Sequence, residues 1–191
     1  MINAAVSHIT SCLNQYLKNT FDLNENIVET ANLLDQDGSV ATNVSDKLVV
    51  SLVNIEKDKT FNNFVTSSPT STKNAITRYP PLNLNFYLMF AAHFSSKNYD
   101  EALKFLSHTI SFFQKNPVFN RQNTPDLDSC IEKLLLDIEN LSIRDLSSLW
   151  SILSGKYLPS VLYKVRMVTF NSDDIVARVP ISTDLETSVA N

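Results

Sequence analysis

Residues 47–55 read Lys-Leu-Val-Val-Ser-Leu-Val-Asn-Ile, a β-branched run that is apolar on both faces for much of its length. Such a run has no face to give to water, so it predicts a central strand in a sheet that is covered on two sides. Residues 82–90 make a second strand: Leu82, Leu84 and Phe86 face away from Asn83 and Asn85, and the pattern then turns apolar on both faces. Residues 2–21 carry Ile2, Val6, Ile9, Leu13, Tyr16, Leu17 and Phe21 at three- and four-residue steps, which predicts an amphipathic helix with Ser7, Thr10, Ser11, Asn14 and Lys18 on its other face.

Further strands are expected within 26–34, 131–140 and 161–170. A helix over 99–115 is expected to open on Asn98, with Glu101 in the capping-box position, and to end before Asn116-Pro117. Another opens at Ser142 with Asp145 three residues on, and Gly155 stands where a helix closes. Asp35, Asp37 and Gly38 are turn residues, and 118–129 reads as loop. The fold class is therefore α+β: a mixed or mostly antiparallel sheet of about five strands flanked by about three helices. One domain is expected over 1–170, with a long loop at 57–81 and a tail at 171–191 that is disordered or an interaction arm.

Composition removes several functions. Sixteen Lys+Arg against 20 Asp+Glu leave a net charge of -4, with no basic surplus for nucleic acid. With only two glycines, Gly38 and Gly155, neither a Walker loop nor a dinucleotide fingerprint can be written. Two cysteines, Cys12 and Cys130, supply neither a disulfide framework nor the paired spacing of a zinc site. No stretch approaches the ~20 apolar residues of a membrane span, and residues 1–5 lack the basic start of a secretory signal, so synthesis and folding in the cytosol and no direct membrane insertion are expected.

No reactive constellation emerges. His8 and Cys12 stand four apart on the first helix without a second pair to complete a metal site, and His93 and His108 lie on separate elements. Asp35/Asp37, Asp126/Asp128 and Asp137/Glu139 read as turn or solvent-facing carboxylates, and Phe105, Phe112, Phe113 and Phe119 as core. There is no nucleophile elbow. No catalytic residue, cofactor or metal is expected, so assembly is the favoured work. The candidate interface residues are Thr60, Phe61, Phe64, Val65, Lys73 and Arg78 in the long loop, with Lys164 and Arg166 as candidates for an exposed strand edge.

Specific segments sharpen this. Residues 46–56, 80–87, 97–106, 112–114, 149–153 and 157–160 closely resemble, in the same order, a family of contractile injection system proteins. The chain resembles the tail-terminator, or cap, proteins of phage-tail-like particles, from about residue 2 to residue 170. The resemblance implies a homohexameric ring that stops growth of the inner tube and caps the contractile sheath at its distal end, with the tube and sheath proteins as partners. It supplies no catalytic residue, and it implies assembly in the cytoplasm into a particle that is released or membrane-associated. Some longer relatives carry a further C-terminal domain. Two other roles fit the residues: a baseplate or tube adaptor of the same particle, or a small ligand-binding or hydrolase domain under the phenylalanine cluster.

Overall fold

The computed structural model describes residues 1–33, 41, 44–58, 67–69, 74–78, 83–153, 157–169 and 175–180. The first helix, α1, spans Ile2–Phe21, the bounds its periodicity predicts. After it come β1 (Val28–Thr30), β2 (Lys47–Lys57), β3 (Ser67–Pro69), β4 (Asn74–Arg78) and β5 (Leu84–His93). The chain continues through α2 (Tyr99–Lys115), β6 (Val118–Asn120), β7 (Ile131–Ile138), α3 (Ile143–Leu153), β8 (Ser160–Thr169) and β9 (Ile175–Pro180). The α+β class holds, with six strands in the main sheet where about five were expected, in the order β1-β2-β5-β8-β7-β6. Only β1 and β2 run parallel.

The strands alternate their side chains between two cores, as the pleat requires. Leu48, Val50, Phe86, Leu88, Phe90, Tyr163 and Val165 join the stripes of α1 and α2 on one side, together with Phe105, Phe112, Phe113 and Phe119. The phenylalanines are thus core, as expected. Val49, Met89, Ala91 and Leu162 pack on the other side with Leu33, Val44 and Trp150 of α3. The first half of β2, residues 48–51, is buried on both faces as its composition demands, whereas the expected cover does not extend over Leu52 to Ile55.

Four sequence expectations need correction. Asn14 and Thr10, on the polar side of α1, do not face water: both are buried. Asn14 donates Nδ2 to the Val28 carbonyl (2.8 Å) and accepts at Oδ1 from the N–H groups of Val28 (2.9 Å) and Ile27 (3.1 Å). One side chain thereby substitutes for a neighbouring strand along β1, meeting the backbone groups that point away from β2. Second, Asn98 stands at the start of α2 but makes no side-chain cap there; its Nδ2 reaches Asp46 Oδ1 at 3.5 Å, and Glu101 pairs with Lys104 at 2.7 Å instead. Third, 118–129 is not all loop, because Val118–Asn120 pairs with β7.

The fourth concerns 57–81 and 171–191. They supply β3, β4 and β9, which form a separate three-stranded antiparallel sheet in which β4 pairs with β9 from Asn74↔Pro180 to Arg78↔Ile175. Pairing across about a hundred residues leaves no mark on local periodicity. Other expectations hold or fall elsewhere. Ser142 caps α3: the Asp145 N–H donates to Ser142 Oγ (3.2 Å), one half of a capping box, and the Ser142 hydroxyl donates to Asp145 Oδ2 (2.6 Å). Asp35, Asp37, Gly38 and Gly155 lie outside the described residues.

Tyr163 is buried between Phe90 and Phe113, with ring centroids 5.6 and 4.9 Å away. Its hydroxyl makes no hydrogen bond among the described residues, and burial pushes its pKa up to about 12. Since the unfolded value is about 10, the folded state holds this proton longer; the associated stability is complete below pH 10 and is lost as pH rises through 12. Tyr163→Phe should leave stability at pH 7 unchanged or raised by up to about 1 kcal/mol. It should also flatten the fall in urea midpoint between pH 9 and 11.

Candidate assembly surface

The two ends of β2 differ. From Leu48 to Val50 it lies between β5 and β1, and the Ala31 N–H donates to the Val50 carbonyl at 3.2 Å. Beyond Val50 no strand among the described residues pairs with its outer edge, although pairing with β5 continues to Lys57. A register shift at Val53 bends this half. On the helix-covered face Leu52 and Ile55 project past the helices and stay 43% and 44% exposed. An unpaired edge carrying large apolar side chains is normally blunted in a monomer. Asn14 does that for β1; here the register shift at Val53 and the charged Glu56 and Lys57 blunt the edge in part and leave Leu52 and Ile55 exposed.

On the opposite face an open groove of about 350 Å³ runs between α3 and the sheet. The α3 positions Asp145, Ser148, Leu149 and Ile152, spaced to share one helix face, form one wall; Val53, Tyr87 and Leu162 form the floor. Ile152 is 83% exposed, and Trp150 is the only residue of α3 that is fully buried. Three carboxylates, Glu56, Glu139 and Asp145, line the groove. Glu56 is held in place by the Tyr87 hydroxyl (3.3 Å) and by Asn54 Nδ2 (3.2 Å). Burial and the neighbouring carboxylates, against the opposing pull of Lys164, raise the Tyr87 pKa above its ordinary value.

Lys164 and Arg166 are not on an edge. The strand β8 lies inside the sheet between β5 and β7, so its backbone is already paired on both sides. Lys164 Nζ sits 5.8 Å above the Tyr87 ring. Arg166 turns inward, its Nε 3.2 Å from Oδ2 of the buried Asp58. This ion pair lies near the buried Asn83 and Asn85, where the chain leaves β2 and re-enters β5. Arg166 thus has a structural task, whatever else it touches. Thr60, Phe61, Phe64, Val65 and Lys73 lie outside the described residues, and Arg78 ends β4 opposite Ile175. Sequence reasoning missed the open half of β2 and the groove, because strand order and helix placement are set by distant segments.

His8, Cys12 and His108 are engaged in packing contacts. His8 stands edge-on to Phe119 at 5.9 Å, and Cys12 Sγ lies 3.6 Å from His8 Nε2. Burial lowers the His8 pKa, partly opposed by Asp126, and burial with Asp126 raises that of Cys12, so both are neutral at pH 7. A histidine held neutral stabilises the fold above its unfolded pKa of about 6.5, and that contribution is lost as pH falls below it. His8→Gln should therefore show a smaller drop in melting temperature between pH 7.5 and 5.5 than the parent chain. His108 lies 3.4 Å from the Tyr16 hydroxyl and edge-on to Phe21. Among the described residues no three His, Cys, Asp or Glu side chains converge as metal ligands, and no helix is long and apolar enough to cross a membrane.

Two solved structures share this architecture. One is the PVC sheath/tube terminator of an extracellular contractile injection system in its extended state, with a TM-score of 0.62 and 15% identity over 100% of this chain and 64% of that protein. The other is the tube-terminating cap of the anti-feeding prophage, with a TM-score of 0.62 and 15% identity over 98% of this chain and 60% of that protein. The chain thus spans less than two thirds of either protein. Among curated proteins nothing matches it. Residues 5–184, running through β9, match the family described as the Pvc16 N-terminal domain, and the chain belongs to that family.

Proposed function

We propose that this protein is a non-enzymatic terminator that assembles as a homohexameric ring on the distal end of a contractile injection particle, closing its inner tube and its sheath. The observation that carries the reading is an architecture shared along essentially the whole chain with a sheath/tube terminator and a tube-terminating cap. The open half of β2 supports it. A strand edge with apolar residues on one face and a groove on the other suits contacts in which backbone hydrogen bonds give strength and alternating side chains give selectivity. The remaining candidate contacts are Thr60, Phe61, Phe64, Val65, Lys73, Arg78 and Lys164, together with the segment 171–191. Arg166 joins them only through the part of its side chain not engaged by Asp58. Assembly takes place in the cytoplasm, before release or membrane association of the particle.

The test is to mix the purified protein with assembled tube–sheath particles that lack it and to image both ends. A six-fold density at the end away from the baseplate is expected. Density at the baseplate end, or at neither end, would reject the reading. A monomer in dilute solution is compatible with a ring templated by the tube.

A further inference from the structure

We propose that the groove between α3 and the sheet is a docking site for an extended partner segment in which aliphatic residues alternate with lysine or arginine. The groove's charge selects this chemistry. Glu56, Glu139 and Asp145 stand around it, and Lys164 sits over the Tyr87 ring of its floor. A cationic segment gains attraction there that an acidic one forfeits. The Glu56 carboxylate is fixed at the rim by Tyr87 and Asn54, so little side-chain freedom is lost when a cation arrives.

Shape selects the rest. Val53, Leu149, Leu162 and Ile152, the last 83% exposed, offer an apolar surface on which the methylene stems of lysine or arginine can lie while their charged ends reach the carboxylates. Val53 and Glu56 belong to the half of β2 whose outer edge is unpaired among the described residues. A segment laid along that edge would send its cationic side chains into the groove and its aliphatic ones over Leu52 and Ile55 on the opposite face. One added strand would cover the apolar surface on both faces. The inference goes beyond the terminator reading and does not depend on it, since a cap could bind particles with the groove empty.

The probe is a capped decapeptide, Gly-Ser-Lys-Ile-Lys-Val-Arg-Ile-Gly-Ser, titrated into the isotopically labelled full chain by two-dimensional NMR, with a counterpart carrying Glu at its three cationic positions. Amide shifts are expected at Val53, Tyr87, Leu162 and Ile152, with no binding of the acidic counterpart. Glu56→Lys with Glu139→Lys should weaken binding by about tenfold or more, whereas Asp100→Lys on α2 should leave it unchanged. If the double variant loses its dispersed spectrum, Glu139→Lys alone takes its place. No shifts at millimolar peptide, shifts centred elsewhere, equal binding of the acidic peptide, or indifference to the rim substitutions would each overturn the proposal.

Discussion

Asn14→Leu is expected to destabilise the protein by about 3 kcal/mol, enough to lower its melting temperature by roughly 6–12 °C. Leucine fills much the same volume on α1 but removes the partner of the Val28 carbonyl and of two backbone N–H groups at the start of β1. An unsatisfied buried polar group costs about 1–3 kcal/mol, and Asn14 serves three. Asn14→Asp should fall between the parent and Asn14→Leu at neutral pH, because it keeps both acceptor bonds and places a carboxylate against the Val28 carbonyl. The effect should centre on β1, with faster amide exchange at Val28 and Val50, whose strands pair there. A loss below about 1 kcal/mol for Asn14→Leu would mean that water meets these groups without the side chain.

The second large effect is on assembly and should leave the fold intact. Leu52→Arg combined with Ile55→Arg changes two side chains that are already 43% and 44% exposed, so the isolated protein should melt within about 1 kcal/mol of the parent. On particles lacking their own cap, the same variant should occupy ends at least about tenfold less than the parent protein. An arginine buried in an apolar contact without a partner costs several kcal/mol, and a ring repeats that cost at every subunit. Negative-stain counts of capped ends at matched protein concentration provide the measurement. Equal capping by the variant would remove the open half of β2 from the contact surface. Arg166 is a poorer probe, because replacing it also strips a cation from the buried Asp58.

Much of the main sheet was legible in the sequence, because its strands and helices carry their own periodicity. The stripe from Ile2 to Phe21 corresponds to α1 without a shift at either end, and the apolar run at 47–55 lies within β2. Ser142 accepts the Asp145 N–H and so caps α3 where their spacing places the cap. What could not be read depends on partners far along the chain. Alternation in 161–170 identifies a strand, yet an interior strand and an edge strand alternate alike, so the sequence alone cannot show that Lys164 and Arg166 lie on an interior strand. An asparagine on the polar side of a helix looks the same whether it meets water or, as Asn14 does, a strand's backbone. The pairing of β4 with β9 joins two weakly patterned segments on either side of four strands and two helices, and neither predicts the other. The candidate surface falls in this second class: Leu52 sits inside a core-like run, and the shortness of β1 and the placement of the helices leave it uncovered among the described residues.

The most direct test of the capping role is the length distribution of particles assembled with and without this protein. Particles made in its presence are expected to share one uniform length and to bear a six-fold cap at the distal end. In its absence tubes should run to variable lengths with bare ends, and adding the purified chain should cap them. Uniform lengths and closed ends in particles that never met the protein would contradict the account.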